Sequence, residues 1–346
     1  MENKVYIFKI DINWVLIGLI SKIDRFDASW SSIEKREGQS LKQLKSISTV
    51  RSVGASTRIE GSKMSDAEVD VLLKNIDITK LEDRDSQEVV GYFDTLDIIT
   101  ESYQDINITE SSIKNLHNIL LKHSKKDSWH KGNYKQHSNA VEANYPDGTK
   151  RILFETTEAG FPTEDAMRSL FKWYKTDKET HPLVKCASFC YEFVSIHPFQ
   201  DGNGRLSRLM ASLLLLKNGY KWIQYVSFEH EIESKKEEYY RVLRNCQSQR
   251  PNENITEWIS FFFNSLLNIQ NQLLQKLESS GLQSQLSPKE KSILTFIGNH
   301  SGCKSGDIAK KLDIPNPTVK RILSNLIERN LIEKHGNGPG TNYSLK

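Results

Sequence analysis

Residues 197–208 read His197-Pro198-Phe199-Gln200-Asp201-Gly202-Asn203-Gly204-Arg205-Leu206-Ser207-Arg208, the densest concentration of chemistry-bearing side chains in the chain. They join a helical run, Leu183 to Ser195, to another that begins near Arg205. The two glycines let the backbone approach a ligand closely, and their amides, with the free amides of the following helix, make an anion-binding nest. Arg205 and Arg208 are three apart, so on a helix they share a face and can each clamp phosphate oxygens with a planar fork. Asp201 is a hard oxygen ligand of the kind magnesium uses when phosphates supply most of its coordination. His197, with an ordinary pKa of about 6.5, can take a proton from an attacking hydroxyl at neutral pH. Each residue alone serves equally well in a turn, a surface ion pair or a helix end. All of them within twelve positions, on a loop that opens a helix, point to phosphoryl or nucleotidyl transfer.

Outward from that loop, most of the first 280 residues predict helices, because apolar residues recur at three and four and Pro and Gly are sparse within the segments. Leu116, Ile119 and Leu120 make one such face, and Trp258, Ile259, Phe262, Phe263, Leu266 and Leu267 another. The one strand signal in this part is Asn139 to Phe154, where Tyr145-Pro146-Asp147-Gly148 predicts a turn between two short strands, a flap on a helical body. A Ser/Gln/Gly-rich stretch, Ser279 to Ser287, predicts a linker before Pro288 opens a new helix. Beyond it, helices are expected over Glu290 to Ile297, Ser305 to Leu312 and Thr318 to Arg329. The strands Leu331 to Lys334 and Thr341 to Leu345 flank a glycine-rich tip, His335 to Gly340. Three helices and a two-stranded wing make a winged helix-turn-helix. The fold class expected is therefore mainly α, with one hairpin flap and a C-terminal winged helix.

The chain has 346 residues, 37% hydrophobic and 26% charged, an ordinary globular composition with length for two or three domains. Its longest apolar stretches, near Trp14 to Ile20 and Leu209 to Leu216, are well short of the roughly 18 residues of a spanning helix, so no membrane partner is expected. The N-terminal MENKVYIFKIDIN lacks the pattern of a secretory signal, and Cys186, Cys190, Cys246 and Cys303 lack zinc or disulfide spacing. A cytoplasmic protein with buried thiols is the expectation. Leu286 to Lys346 holds ten Lys/Arg against five Asp/Glu, a balance of +5, while the remainder balances at −2. Any attraction to polyanions such as DNA should therefore reside in the tail.

The 197–208 stretch resembles the Fic family signature, HxFx(D/E)GNGRxxR, at every specified position, and the resemblance extends through most of residues 40 to 270. It implies a helical core, a flap over the site, and transfer of AMP from MgATP to a Ser, Thr or Tyr hydroxyl of a protein. ATP is then the substrate and Mg2+ the cofactor. It implies His197 as general base, Asp201 as magnesium ligand, and Asn203 with the Gly202 and Gly204 amides as a cradle for the α- and β-phosphates. Arg205 would contact the phosphates and Arg208 the γ-phosphate, with Leu206 and Ser207 inside the same segment. The phosphate-transferring Doc branch places Lys where this chain has Gly204, so the resemblance favours AMP transfer. Tyr239, Tyr240 and Gln247 resemble the family's nucleoside-contacting segment. Adjacent tyrosines point about 100° apart on a helix, so one of the two is expected in the core. Thr156 and Thr157 would belong to the target-aligning flap.

Ser56-Thr57-Arg58-Ile59-Glu60-Gly61 resembles the family's inhibitory pattern, and its place upstream of the loop resembles the class with an N-terminal inhibitory helix. Ser56, Glu60 and Gly61 would carry that role, with Glu60 taking the Arg208 guanidinium from the ATP γ-phosphate. The resemblance divides the chain into an N-terminal helical region, 1–100, with the inhibitory helix at about 50–62. A catalytic core, 101–278, carries the flap at about 139–156. A linker, 279–287, and the winged helix, 288–346, follow. The expectation is an autoinhibited protein adenylyltransferase that also modifies itself. The alternatives are a DNA-binding regulator whose core senses nucleotide, and an enzyme that removes AMP. A homodimer is among the oligomeric states left open.

Overall fold

The segments whose apolar residues recur at three and four fold as helices in the computed structural model, which describes residues 8–144, 150–284, 287–329, 331–336 and 338–346. Among these residues there are fourteen α-helices and two antiparallel hairpins. They fall into two compact units, Met1–Leu274 and Gln275–Lys346.

The first unit runs through α1 (Trp14–Arg36), α2 (Gly38–Ile59), α3 (Asp66–Lys74), α4 (Arg84–Ser102) and α5 (Glu110–Leu120). A hairpin follows, β1 (Ala140–Asn144) with β2 (Lys150–Glu155), and then α6 (Phe161–Thr176). Next come α7 (Pro182–Ile196), α8 (Asn203–Lys217), α9 (Phe228–Ser234), α10 (Lys236–Gln247) and α11 (Thr256–Ser284), of which the residues from Gln275 on are counted with the second unit. Side-chain caps start many of them: Asn13 accepts from the Leu16 amide, Asp83 from Ser86 and Thr109 from Ser112. The inhibitory segment expected near 50–62 is the last part of the longer α2, and Glu60 is its C-cap.

Helices α7 and α8 are buried all round, with every residue from Cys186 to Ile196 and from Arg205 to Leu216 inside. Helix α8 packs on α7, and α2, α4, α5 and α9 close its other sides. Each leucine so buried contributes roughly 1.5–3 kcal/mol, against about 0–1 kcal/mol for a surface ion pair. The apolar pair of helices, rather than surface charge, therefore fixes the loop between them, residues 197–202. The hairpin pairs Ala140 with Glu155 through to Asn144 with Lys150, with an irregularity between Val141 and Glu142. The expected turn at Tyr145 to Gly148 lies outside the described residues.

Helix α11 continues to Ser284, through the start of the stretch expected as a linker. Its apolar spacing, Leu266, Ile269, Leu273 and Leu277 buried on one side, carries the helix into weak helix formers. Residues 285 and 286 lie outside the described residues, and Ser287 opens the next helix with a capping box to Glu290. The second unit then follows the sequence expectation: α12 (Pro288–Asn299), α13 (Ser305–Leu312), α14 (Asn316–Glu328), and the wing β3 (Ile332–His335) with β4 (Asn342–Leu345). Ile293, Ile297, Ile308, Val319, Leu323 and Leu326 form its core. All four cysteines are free and buried. Among the described residues no helix is long and apolar enough to cross a membrane.

Candidate active site

The loop from α7 to α8 is shaped by residues that cannot continue a helix. His197 is the C-cap of α7 in the left-handed conformation, φ 54°, and Pro198 follows it. Gly202, φ 79°, is the N-cap of α8, and a Cβ there would stand 3.4 Å from His117 Nε2. Between them Phe199 is buried and stacked on His117 at 3.8 Å. Asn203 clips the turn shut: its Oδ1 accepts from the Phe199 amide (2.9 Å) and its Nδ2 donates to the Phe199 carbonyl (2.8 Å). The first-turn amides of Asn203, Gly204 and Arg205 have no carbonyl partner inside α8 and form its positive end. These amides lie where the sequence predicted a nest, but the Gly202 amide expected to share in it donates to Asp201 Oδ1 instead.

His197 stands at the edge of that nest. Its Nδ1 lies 3.4 Å from the Val194 carbonyl, which can only accept, so Nδ1 carries the hydrogen and Nε2 is the basic nitrogen. Burial, with the nearby Lys135 cation, pushes its pKa down to about 4. The imidazole is thus neutral at physiological pH. Asp201 Oδ1 accepts from the Gly202 amide and from Arg205 Nη2 at 3.3 Å. Burial would raise the Asp201 pKa, but Arg205, the Gly202 amide, Arg84 and Lys126 together hold it below the usual carboxylate range. Its side chain is 39% exposed. Among the described residues no group of three or more His, Cys, Asp or Glu converges to hold a metal. A divalent ion there would take one protein carboxylate, Asp201, and the rest from phosphate and water, a donor set that suits magnesium.

Arg205 and Arg208 do different work. Arg205 is 1% exposed, its guanidinium between Asp201 and Glu88, with Glu88 Oε2 at 3.3 Å. It braces the loop from beneath. Arg208 Nε donates to Ser56 Oγ (2.9 Å), and its Nη2 donates to the Ser56 carbonyl (3.1 Å) and to Glu60 Oε1 (2.7 Å). Burial would lower the Arg208 pKa, and the Glu60 carboxylate outweighs it and holds the guanidinium above its usual range. Glu60 is held low in turn: Arg208 and Arg205 overcome the desolvation that would raise it. A Cβ on Gly204 would meet Glu60 Oε1 at 2.6 Å, so the carboxylate lies against bare backbone at the mouth of the nest. Gly61, φ 106°, turns the chain immediately after it.

Other candidates face elsewhere. Leu206 is fully buried and its amide bonds the Gly202 carbonyl, while Ser207 Oγ bonds the Cys190 carbonyl at 3.5 Å, so neither side chain reaches the nest. Gln247 is buried with its amide on Ser195 Oγ (3.0 Å). Tyr239 packs in the core against Trp258 and Phe261. Tyr240 is half-buried, its ring edge-on to that of Tyr239 at 5.1 Å, and both rings lie near Glu60 and Arg208, so the adjacent tyrosines differ in burial rather than in neighbourhood. Thr156 directs its hydroxyl to Asn139, 2.6 Å from both its carbonyl and Oδ1, and Thr157 beside it is half-buried.

Two site residues were not foreseen. His117 accepts the Gly132 amide on Nδ1 (2.9 Å), so its Nε2–H donates to the Asp201 carbonyl (3.0 Å). Burial holds it neutral, its pKa down to about 4. A histidine between Leu116 and Leu120 on an apolar face was its signal. Lys135 is 2% exposed, and burial pushes its pKa down to about 8.

Residues 107–215 match the Fic/DOC family and residues 284–340 the MarR family. The protein adenylyltransferase Fic of Drosophila sechellia is 27% identical over 58% of this chain and 39% of its own length. The chain thus spans about two fifths of the length of the curated relatives it matches. A solved Fic family protein from Desulfovibrio desulfuricans G20 shares the fold over 99% of this chain and 98% of that one, with TM-score 0.65 at 23% identity. A Fic domain containing signaling protein from Bacteroides thetaiotaomicron shares it over 74% and 97%, with TM-score 0.59 at 22% identity. The chain therefore carries a Fic domain homologous to protein adenylyltransferase Fic, followed by a C-terminal MarR-family winged-helix domain.

Proposed function

We propose that this chain is an autoinhibited protein adenylyltransferase that moves AMP from MgATP to a Ser, Thr or Tyr hydroxyl of a protein, itself included, and that it acts in the cytoplasm. The observation that carries the reading is the neutral His197 imidazole beside the amide nest of α8, with Asp201 at its edge. His197 Nε2 takes the proton of the target hydroxyl as its oxygen bonds the α-phosphorus, and the bond to the departing pyrophosphate breaks. The first-turn amides stabilise the charge that develops on the phosphates. A magnesium ion held by Asp201 and the phosphates would neutralise the nucleotide and its leaving group. Asn203 and Arg205 act by shaping the loop and orienting Asp201, and Tyr240 offers an aromatic face for adenine. The names of the curated relatives support AMP transfer in kind.

Glu60 supports the inhibited state, since it holds the Arg208 guanidinium that the γ-phosphate needs. ATP would then bind with that phosphate displaced and its α-phosphate off line for attack. Glu60→Gly should free Arg208 and raise the transfer rate by roughly 5- to 150-fold, a shift of about 1–3 kcal/mol. The test is incubation with α-labelled ATP and magnesium, with mass spectrometry of the labelled protein. His197→Ala in the activated background should cut labelling by on the order of 10²- to 10⁴-fold, and adding Arg208→Ala to Glu60→Gly should erase most of the gain. Equal labelling by wild type and Glu60→Gly would leave Glu60 a structural acid. Loss of bound AMP hastened by wild type alone would mark the reverse reaction.

A second reading concerns the winged helix. Asn316, Lys320 and Arg321 are exposed on α14 while Val319, Ile322 and Leu323 face inward, the disposition of a recognition helix. DNA binding through residues 288–346 is the activity this supports.

A further inference from the structure

Lys135 sits where three separate pieces of chain meet. Its ammonium donates to the carbonyl of Ile196 (3.2 Å), to Asn139 Oδ1 (3.0 Å) and to Thr156 Oγ1 (2.8 Å), using all three of its hydrogens on neutral oxygens. Ile196 immediately precedes His197. Asn139 immediately precedes β1 and Thr156 immediately follows β2, so the two side chains are the two feet of the hairpin. Two further bonds close the same junction: the Lys135 backbone amide donates to the Pro198 carbonyl (2.8 Å), and the Asn139 side-chain Nδ2 donates to the Phe199 carbonyl (3.1 Å). Burying a cation among neutral oxygens is unfavourable unless its hydrogen bonds are complete. Here they are complete: two lie on the feet of the hairpin and the third on the residue that precedes the candidate base, so Lys135 joins the two.

We propose that Lys135 is a positioning residue that sets the hairpin in register with His197, so that a target segment held along the hairpin presents its hydroxyl to Nε2. This rests on the adenylyl-transfer reading above. Lys135 touches neither nucleotide subsite described there: its ammonium meets Asn139, Thr156 and Ile196, not Asp201, Arg208 or the α8 amides. Its removal should therefore spare ATP binding and disturb the alignment of target and base. Misplacement by about 1 Å can lower a rate by on the order of 10²-fold.

The test compares full-length Glu60→Gly with Glu60→Gly/Lys135→Met and Glu60→Gly/Thr156→Val. Lys135→Met should lower kcat for transfer to the protein target by roughly 10- to 100-fold, with ATP affinity by calorimetry changed less than about threefold. Hydrogen exchange should rise in residues 150–157 and 194–203 together, which a hydrogen bond serving only one of the two segments would not produce. Thr156→Val removes the hydroxyl that accepts from Lys135 and donates to Asn139, with little change in volume, and should move kcat and exchange the same way by less; it carries the test if Lys135→Met does not fold. Unchanged kcat and exchange, or a matching loss of ATP affinity with no coupled rise in exchange, would overturn the proposal. If Glu60→Gly itself transfers no AMP, the adenylyl-transfer reading falls, and the exchange comparison still decides whether Lys135 joins hairpin and loop.

Discussion

In the proposed transfer the chemistry turns on His197, and its environment sets a pH signature. An unperturbed histidine, pKa about 6.5, would be mostly protonated at pH 6 and useless as a base. Burial and the Lys135 cation bring His197 down to about 4, while Glu60 and Asp201 pull weakly the other way. A depressed pKa keeps the basic form populated as pH falls, so kcat/KM for the target, measured in Glu60→Gly at saturating MgATP, should stay level from pH 8 to about 5. A half-fall near pH 6.5 would show His197 to be ordinary or another group to be the base. The sign for stability is opposite. His197 and His117 both bind protons more readily unfolded, so acid below about 6.5 progressively favours the unfolded chain. Residue types in the 197–208 stretch pointed to the proposed chemistry, but not to which of the side chains turn inward. Asn203 and Arg205 read as phosphate contacts, yet both are turned inward to hold Phe199, Glu88 and Asp201. Lys135 and His117 were missed for the complementary reason: the partners that tie them to the loop, Ile196 and Asp201, are 61 and 84 positions away.

Among the elements, α2 is the one whose placement bears on the proposed autoinhibition. Its C-terminal end is latched to the next helices by charge: Arg58 Nε and Nη2 reach Glu233 Oε1 (2.6 Å) and Oε2 (3.0 Å), and Lys236 Nζ caps the Ile59 carbonyl (2.7 Å). Glu60 follows directly, so the latch on α9 and α10 fixes where its carboxylate points. The Arg58–Glu233 pair is partly exposed, side chains 21% and 23%, and Arg58 keeps Asp66 at 2.9 Å when Glu233 is lost. Its net strength is then about 1 kcal/mol or less, and Glu233→Ala should raise transfer by no more than about fivefold over wild type. Labelling rates of wild type, Glu233→Ala and Glu60→Gly measured side by side would show it. A Glu233→Ala rate equal to wild type would mean that the remaining hydrogen bonds hold the helix end alone. Periodicity made the helices legible, α13 to the residue, and turn chemistry located the hairpin. What periodicity could not show was that α2 starts at Gly38 and that α11 carries on to Ser284. Apolar contacts outweigh weak local propensity at both places.

At the scale of the whole chain, charge separates the two units more sharply than composition does. The tail from Leu286 carries +5 and the remainder −2. The tail's helices α13 and α14 form the pair whose second member enters the major groove in a helix-turn-helix, and the exposed Lys334 and His335 on the wing add to the basic face. If that face binds DNA, affinity must come largely from phosphate neutralisation, and log K must fall with log salt in proportion to the number of contacts. Fluorescence anisotropy of the full chain with duplex DNA between about 50 and 200 mM salt should then show a steep loss, with each lysine or arginine that touches phosphate contributing about 0.9 to the slope. Lys320→Ala with Arg321→Ala should flatten the slope by about 2 and weaken binding similarly on unrelated sequences, because phosphate contacts carry no sequence information. Asn316→Ala should leave the slope in place and instead reduce preference among sequences, since a neutral amide reads base edges. A chain that binds no duplex at low salt, or binds it equally well after losing both cations, would reassign the basic face of α14 to an acidic protein partner.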